Sequence, residues 1–150
     1  MSYTSDGLFT ENAPTMKITV ETVVAAPVSK VWAAYTNPED IKKWNAASDD
    51  WHTTAATVDL REGGAFSSRM EAKNGSMGFD FAGTYTKIVT NKLIEYAFGD
   101  RSGRVEFDEQ PGGTKVTVTF DAEDVYPVEQ QRQGWQAILD SFARHVQSGA

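Results

Sequence analysis

The chain contains no cysteine, and this absence excludes several kinds of chemistry. Disulfides, thiolate nucleophiles and cysteine-ligated zinc all require the thiol side chain. Histidine is almost as scarce, because His52 and His145 are the two in the whole sequence, and neither belongs to an HxH or HExxH spacing. His145 lies at the edge of an apolar stripe and is predicted to be structural. The sequence therefore predicts no catalytic residues, no metal site and no cofactor.

The sequence also has fewer basic than acidic residues and lacks long apolar runs. Lys and Arg number 14 against 21 Asp and Glu, which gives a net charge of -7 that opposes phosphate backbones and anionic lipid. No apolar run reaches the ~18 residues of a membrane span. Residues 1–15 lack the basic start and apolar stretch of a signal peptide. The sequence therefore predicts a cytoplasmic protein that neither binds nucleic acid nor inserts into a membrane.

The most informative stretch is residues 127–146, whose apolar residues recur at helical spacing. From Trp135 onward, the positions i, i+3, i+4, i+7 and i+11 are all apolar, which is typical of an amphipathic helix with one buried stripe. Pro127 suits the first helical position. About twenty residues at ~1.5 Å each make a rod of roughly 30 Å. Such a helix needs an apolar surface to lie on.

The chain before this helix has mostly the alternating pattern of β-strands. Residues 16–26 are rich in β-branched side chains and predict a first strand, after which residues 28–44 predict two short helices. Residues 45–53 predict a polar loop that carries Trp51 and His52. About six strands in a meander then follow, with the turn at Asn74-Gly75 among the clearest. Residues 99–103 predict a further loop between two of these strands.

This order predicts an α+β fold (β-α-α-β6-α). A curved antiparallel sheet of about seven strands is expected to wrap around the long C-terminal helix. Residues 1–15 are polar and predict a flexible N-terminal arm, whereas residues 16–150 predict a single domain.

Four segments of the sequence resemble a known family: APVSKVWAAYTNPEDIKKW, VDLREGGAFSSRM, GTYTKI and GWQAILDSFARHV. They resemble the START-like (SRPBCC, helix-grip) superfamily and, within it, the branch of the activator of heat-shock protein 90 ATPase homologue-like proteins. The resemblance implies a helix-grip domain with a cavity between the sheet and the C-terminal helix. Many relatives continue after the position of Trp44 with a second tryptophan and Gly-Pro, and this chain does not. The resemblance therefore carries over no particular ligand.

The large aromatic and methionine side chains are the strongest functional signal. A strongly curved sheet cannot close fully on one straight helix, and residual apolar space with a few polar groups is typical of a small-molecule site. Trp32, Phe120 and Phe142 are predicted to be solid core instead. The predicted ligand-binding residues combine apolar side chains with a few polar ones: Trp44, Trp51, His52, Phe66, Ser68, Met70, Phe79, Phe81, Tyr85, Tyr96, Phe98, Phe107, Trp135 and Leu139.

The inward face of the strand predicted at residues 77–89 stays open. Gly83 in its interior suggests a bend or bulge, which would shift the alternation by one residue. Phe79 and Phe81 point into the cavity in one register, and Asp80 points there in the other. A buried, unpaired Asp80 would have a raised pKa and would be a candidate acid or base.

Three functions are compatible with these observations. The leading hypothesis is a non-enzymatic domain that encloses a small apolar or aromatic molecule, since no catalytic constellation accompanies the aromatic residues. The second is an enzyme of cyclase or hydrolase type that uses His52, Asp80 or Tyr96 for proton transfer. The third, which the resemblance implies, is a co-chaperone that binds heat-shock protein 90 and stimulates its ATPase. A monomer and a homodimer are both compatible with the sequence.

Overall fold

The structure is a computed structural model that describes residues 16–149. The predicted arm at residues 1–15 lies outside the described residues. The strands are β1 (Lys17–Val24), β2 (Trp51–Val58), β3 (Ala65–Ala72), β4 (Gly78–Val89), β5 (Leu93–Phe98), β6 (Arg101–Gln110) and β7 (Gly113–Asp121). The helices are α1 (Val28–Thr36), α2 (Pro38–Trp44) and α3 (Val128–Gln147).

The strands form one curled antiparallel sheet in the order β1-β7-β6-β5-β4-β3-β2. Strands β2 to β7 are neighbours in sequence order, and β1 pairs with β7 at the opposite edge. Helix α3 packs against β1, while α2 packs against β2, so the inner face of the sheet is approached from both edges. The predicted α+β helix-grip fold is confirmed. None of the helices within residues 16–149 is both long and apolar enough to cross a membrane.

The core lies between the inner face of the sheet and the buried stripe of α3. Trp32, Phe120 and Phe142, predicted as solid core, are 7%, 1% and 0% exposed, which confirms that prediction. The ring of Phe142 meets Tyr35 and Trp44 edge-on, with centroids 5.1 and 5.0 Å apart. These contacts join α3 to α1 and α2 into one aromatic cluster.

The C-terminal end of α3 is also tied down by polar contacts. His145 Nε2 lies 2.8 Å from Asp40 Oδ1 of α2, and the side chain of His145 is almost fully buried. The side-chain oxygen of Gln147 accepts a hydrogen bond from the backbone N–H of Ala25 at 2.9 Å. His145 therefore has the structural role that the sequence predicts for it.

Two local predictions need correction. Trp51 and His52 do not lie in a loop, because β2 begins at Trp51 and pairs both residues with β3. Gly83 does not mark a bulge either, since the irregularity in β4 lies between Tyr85 and Lys87. A Cβ on Gly83 would lie 2.2 Å from the carbonyl oxygen of Ala97, so a close approach of two strands explains this glycine.

Asp121 connects three strands at the end of β7. Its carboxylate accepts hydrogen bonds from Lys17 Nζ of β1 and, on β6, from the backbone N–H and the hydroxyl of Ser102 at 2.9 and 3.0 Å. Burial alone would raise the pKa of Asp121, but these hydrogen bonds outweigh it and hold the pKa below the ordinary 3.8. Ionised Asp121 therefore stabilises the fold above its unfolded pKa, and the stabilisation disappears as the pH falls through the folded pKa.

We expect Asp121→Asn to lower the free energy of unfolding by about 1–3 kcal/mol at neutral pH, since the variant loses charged hydrogen bonds. Urea denaturation at a series of pH values measures this, with Asp124→Asn at an exposed neighbouring position as the control. The difference in the free energy of unfolding between Asp121→Asn and the unmodified protein should become smaller once the pH drops below 3.8. A difference that stays constant throughout acid titration would contradict the proposed role of the ionised carboxylate.

Candidate functional site

A cavity of about 450 Å³ lies between α3 and the inner face of the sheet. Its lining comes from all three described helices and from strands β2 to β7, and it is mostly apolar. A volume of this order matches pockets that enclose a small organic molecule. The incomplete closure expected between a curved sheet and a straight helix is therefore present.

Most of the predicted ligand-binding residues meet in this lining. They come from distant parts of the chain and converge because each lies on the inner face of its strand or helix. The predicted residues found there are Trp44, Trp51, Phe66, Ser68, Met70, Phe79, Phe81, Tyr85, Tyr96, Trp135 and Leu139.

Three predicted residues lie elsewhere. His52 is paired with Glu71, and because Trp51 lines the cavity, its neighbour His52 faces the outer side of the sheet. Phe98 is buried behind the lining, where its ring contacts Phe81 at 5.3 Å. Phe107 packs under α1 instead, 5.1 Å from the ring of Trp32, and is part of the solid core.

The inward face of β4 carries Phe79 and Phe81. Met70 and Ser68 of β3, which line the cavity, lie directly opposite these two residues. Asp80 is exposed on the outer face, where its carboxylate lies 3.5 Å from Arg69 Nη1. Strict alternation holds through Gly83, and Asp80 has no access to the cavity.

Aromatic rings form a continuous wall along one side of the cavity. Phe81 contacts Phe66 at 5.8 Å and Trp135 of α3 at 5.9 Å, so strand and helix side chains meet directly. Trp135 in turn stacks on Phe120 of β7 with centroids 3.9 Å apart. Because Phe120 is fully buried, this stacking fixes the indole that faces the cavity.

A glycine on β6 makes room for Tyr96 in the cavity wall. A Cβ on Gly103, which pairs with Tyr96, would lie 2.4 Å from the tyrosine Cζ and 2.5 Å from its hydroxyl oxygen. The ring therefore lies across the backbone of β6 rather than standing away from the sheet. This packing sets the place of the Tyr96 hydroxyl.

Four hydroxyl groups of buried or half-buried residues interrupt the apolar lining: those of Tyr35, Ser68, Tyr85 and Tyr96. Burial raises the pKa of Tyr85 to about 12, and burial likewise raises the pKa of Tyr35 and Tyr96 well above 10. The tyrosines therefore stay protonated donors at neutral pH.

The lining also contains a pair of charged side chains that are not among the predicted ligand-binding residues. Arg101 of β6 and Glu123 of the segment after β7 are the two charged residues of the described lining, with Arg101 Nη2 3.8 Å from Glu123 Oε2. Counting back from Val105 in steps of two would have placed Arg101 on the inner face. The prediction of a loop at residues 99–103 concealed that alternation.

The segment that carries Glu123 is held against the first turns of α3. Gln131 accepts a hydrogen bond from the backbone N–H of Glu123 at 2.9 Å, and its amide donates to the carbonyls of Glu123 and Tyr126 at 3.1 and 2.7 Å. The side-chain amide of Gln131 is thus engaged in hydrogen bonds to the backbone, although the residue borders the cavity. Its role is to position Glu123 and Tyr126.

A curled antiparallel sheet that encloses a cavity against its C-terminal helix defines the class of helix-grip domains. Residues 25–147 match the family described as Activator of Hsp90 ATPase homolog 1-like protein. The chain therefore belongs to this branch of the START-like superfamily. The family fold is consistent with a ligand-binding domain.

Solved structures agree with this assignment. An AHSA1-like protein from Aeromonas hydrophila is 46% identical, with a TM-score of 0.84 over 89% of this chain and 94% of that one. A protein from Cytophaga hutchinsonii is also 46% identical, with a TM-score of 0.77 over 89% and 93%. One from Chromobacterium violaceum is 25% identical, with a TM-score of 0.80 over 88% and 98%. No curated protein matches the chain significantly.

Proposed function

We propose that the protein binds a small apolar or aromatic molecule between α3 and the sheet, without chemical turnover. The observation that carries the proposal is the apolar cavity of about 450 Å³ in a domain of this size. Protein interiors are otherwise close-packed, so the side chains along an apolar recess of this volume lack the dispersion contacts of a packed core on one side. A bound molecule would restore those contacts.

The four hydroxyls in the lining support a ligand that also carries acceptor atoms. The hydroxyls of Tyr35, Ser68, Tyr85 and Tyr96 belong to the cavity lining, and a hydroxyl that faces the cavity can donate a hydrogen bond to an acceptor atom of a ligand. Sites for small molecules typically combine an apolar wall with a few polar groups that fix orientation. These hydroxyls are placed to do so.

An enzymatic function has less support from the geometry. His52 and Asp80, two of the three groups considered for proton transfer, lie on the outer face of the sheet. Tyr96 does line the cavity, but burial raises its pKa and favours a neutral donor over a base. We therefore propose binding rather than catalysis.

A chaperone-linked role rests on the family description alone and stays a prediction. It can be tested by adding the protein to purified heat-shock protein 90 and measuring ATP turnover. The cytoplasmic location and the choice between monomer and homodimer also stay predictions from the sequence.

The binding proposal is tested with N-phenyl-1-naphthylamine, a neutral apolar dye whose fluorescence rises on leaving water. We expect a saturable, one-to-one rise in fluorescence. In NMR spectra of labelled protein, amide shifts should change in β3, in β4 and at residues 134–139, which contribute to the lining. The turn at residues 110–113, which lies outside that lining, serves as the internal control and should not shift. A non-saturable signal, or shifts away from the cavity, would count against the proposal.

A further inference from the structure

The inner face of β6 carries a cation where its neighbours are apolar or small. Arg101 shares that face with Gly103, Val105 and Phe107, all of which are buried. The side chain of Arg101 is 26% exposed and borders the cavity. A partly desolvated guanidinium in this position needs hydrogen-bond acceptors. If the protein does not supply enough of them, the remaining donors indicate which chemical group a ligand in the cavity carries.

The protein supplies only some of the hydrogen-bond acceptors that the guanidinium of Arg101 can use. A guanidinium has five N–H donors, and Arg101 makes one hydrogen bond within residues 16–149, from Nη1 to the carbonyl oxygen of Asp121 at 3.3 Å. Its Cζ also lies 4.5 Å from the ring centroid of Phe98, which holds the plane of the group. Arg101 is therefore fixed from one side while donors remain available on the other.

Glu123 neutralises Arg101 incompletely. The closest approach of the two groups is 3.8 Å, which is beyond hydrogen-bonding distance. Glu123 Oε1 is buried and has no hydrogen-bond partner among the described residues. The backbone of Glu123 is anchored by Gln131, so the carboxylate can turn away without movement of the segment. An acidic group brought in by a ligand can take its place on Arg101.

We propose that Arg101 selects an amphipathic anion, whose carboxylate or similar acidic group it binds while an apolar body fills the cavity. This inference rests on the proposed function of the cavity. Arg101 can hold a planar acid through two parallel hydrogen bonds, which a neutral side chain cannot offer. Apart from Glu123, the polar groups of the lining other than Arg101 are neutral, and hydroxyls such as those of Tyr96 and Ser68 can donate hydrogen bonds to an acid. The donors favour an anionic ligand over a cationic one.

Three probes with one apolar body test this selectivity: 4-biphenylcarboxylate, biphenyl-4-methanol and biphenyl-4-methylamine. Their affinities are measured by displacement of N-phenyl-1-naphthylamine at about pH 8, where the acid is ionised and the amine is protonated. We expect the carboxylate to bind about tenfold or more tightly than the alcohol, as a charge-assisted pair of hydrogen bonds provides. This comparison needs only the unmodified protein.

Variants then assign the selectivity to Arg101. Arg101→Gln should remove the advantage of the carboxylate and leave the affinity of the alcohol within about twofold. Arg104→Gln is the matched control, because Arg104 lies on the outer face of the same strand, 2.9 Å from Glu95, and should change neither affinity. Glu123→Gln should strengthen carboxylate binding, since it removes the competing anion.

The outcomes separate this inference from the proposed function. Binding of the alcohol with no preference for the acid overturns the anion selectivity and leaves the binding function standing. Tightest binding of the amine, lost in Glu123→Gln, would instead make Glu123 the selective group. An equal loss of all three probes in Arg101→Gln would give Arg101 a structural role only. Failure of every probe to bind would overturn both proposals.

Discussion

Phe142→Ala is expected to lower the free energy of unfolding by about 3–5 kcal/mol, as removal of a buried ring does when the site cannot collapse. Phe142 is fully buried in α3, and its ring contacts Tyr35 and Trp44 at centroid distances of 5.1 and 5.0 Å. Those partners come from α1 and the end of α2. The truncation would therefore separate α3 from both short helices at once.

Chemical denaturation monitored by circular dichroism measures the loss, with Phe79→Ala as the matched control. Phe79 is also a phenylalanine but is 48% exposed in β4, so its truncation should cost much less than that of Phe142. Similar losses for the two variants would mean that the helices are not held through the Phe142 cluster.

The architecture was predictable because each element depends on a local pattern. The apolar stripe predicted a helix over residues 127–146, and α3 spans Val128–Gln147. Alternation predicted the strands in the same way, and β7 buries alternate residues as expected. Both patterns arise from how a helix or strand divides its side chains between two faces, which needs no knowledge of the partner.

The site was harder to predict, because lining a cavity and packing a core require the same side chains. Phe107 and Phe81 both face inward with the same chemistry, yet Phe107 meets Trp32 beneath α1 while Phe81 borders open space. Only the positions of the helices separate the two cases. Arg101 was missed for another reason: the loop predicted at residues 99–103 hid the start of β6.

Gly134 of α3 offers the sharpest test of whether this space is used. It borders the cavity, and a Cβ added there would meet no atom within 4 Å. Glycine inside a helix costs about 0.5–1 kcal/mol relative to alanine. Gly134→Ala should therefore raise the free energy of unfolding by about that amount, because the methyl group enters empty space, while binding of N-phenyl-1-naphthylamine persists.

Gly134→Phe uses the same position to fill the cavity. We expect the ring to occupy the space beside Trp135 and abolish dye binding, while thermal unfolding stays close to that of Gly134→Ala since the added ring buries apolar surface. Comparison of the two variants shows whether dye binding is lost because the cavity is filled or because the fold is destabilised. If Gly134→Phe is stable but does not bind the dye, the dye binds in the cavity. Dye affinity equal in both variants would instead place the dye on another surface. A Phe variant much less stable than the Ala variant would mean that the space between α3 and the sheet is too small for an aromatic ring.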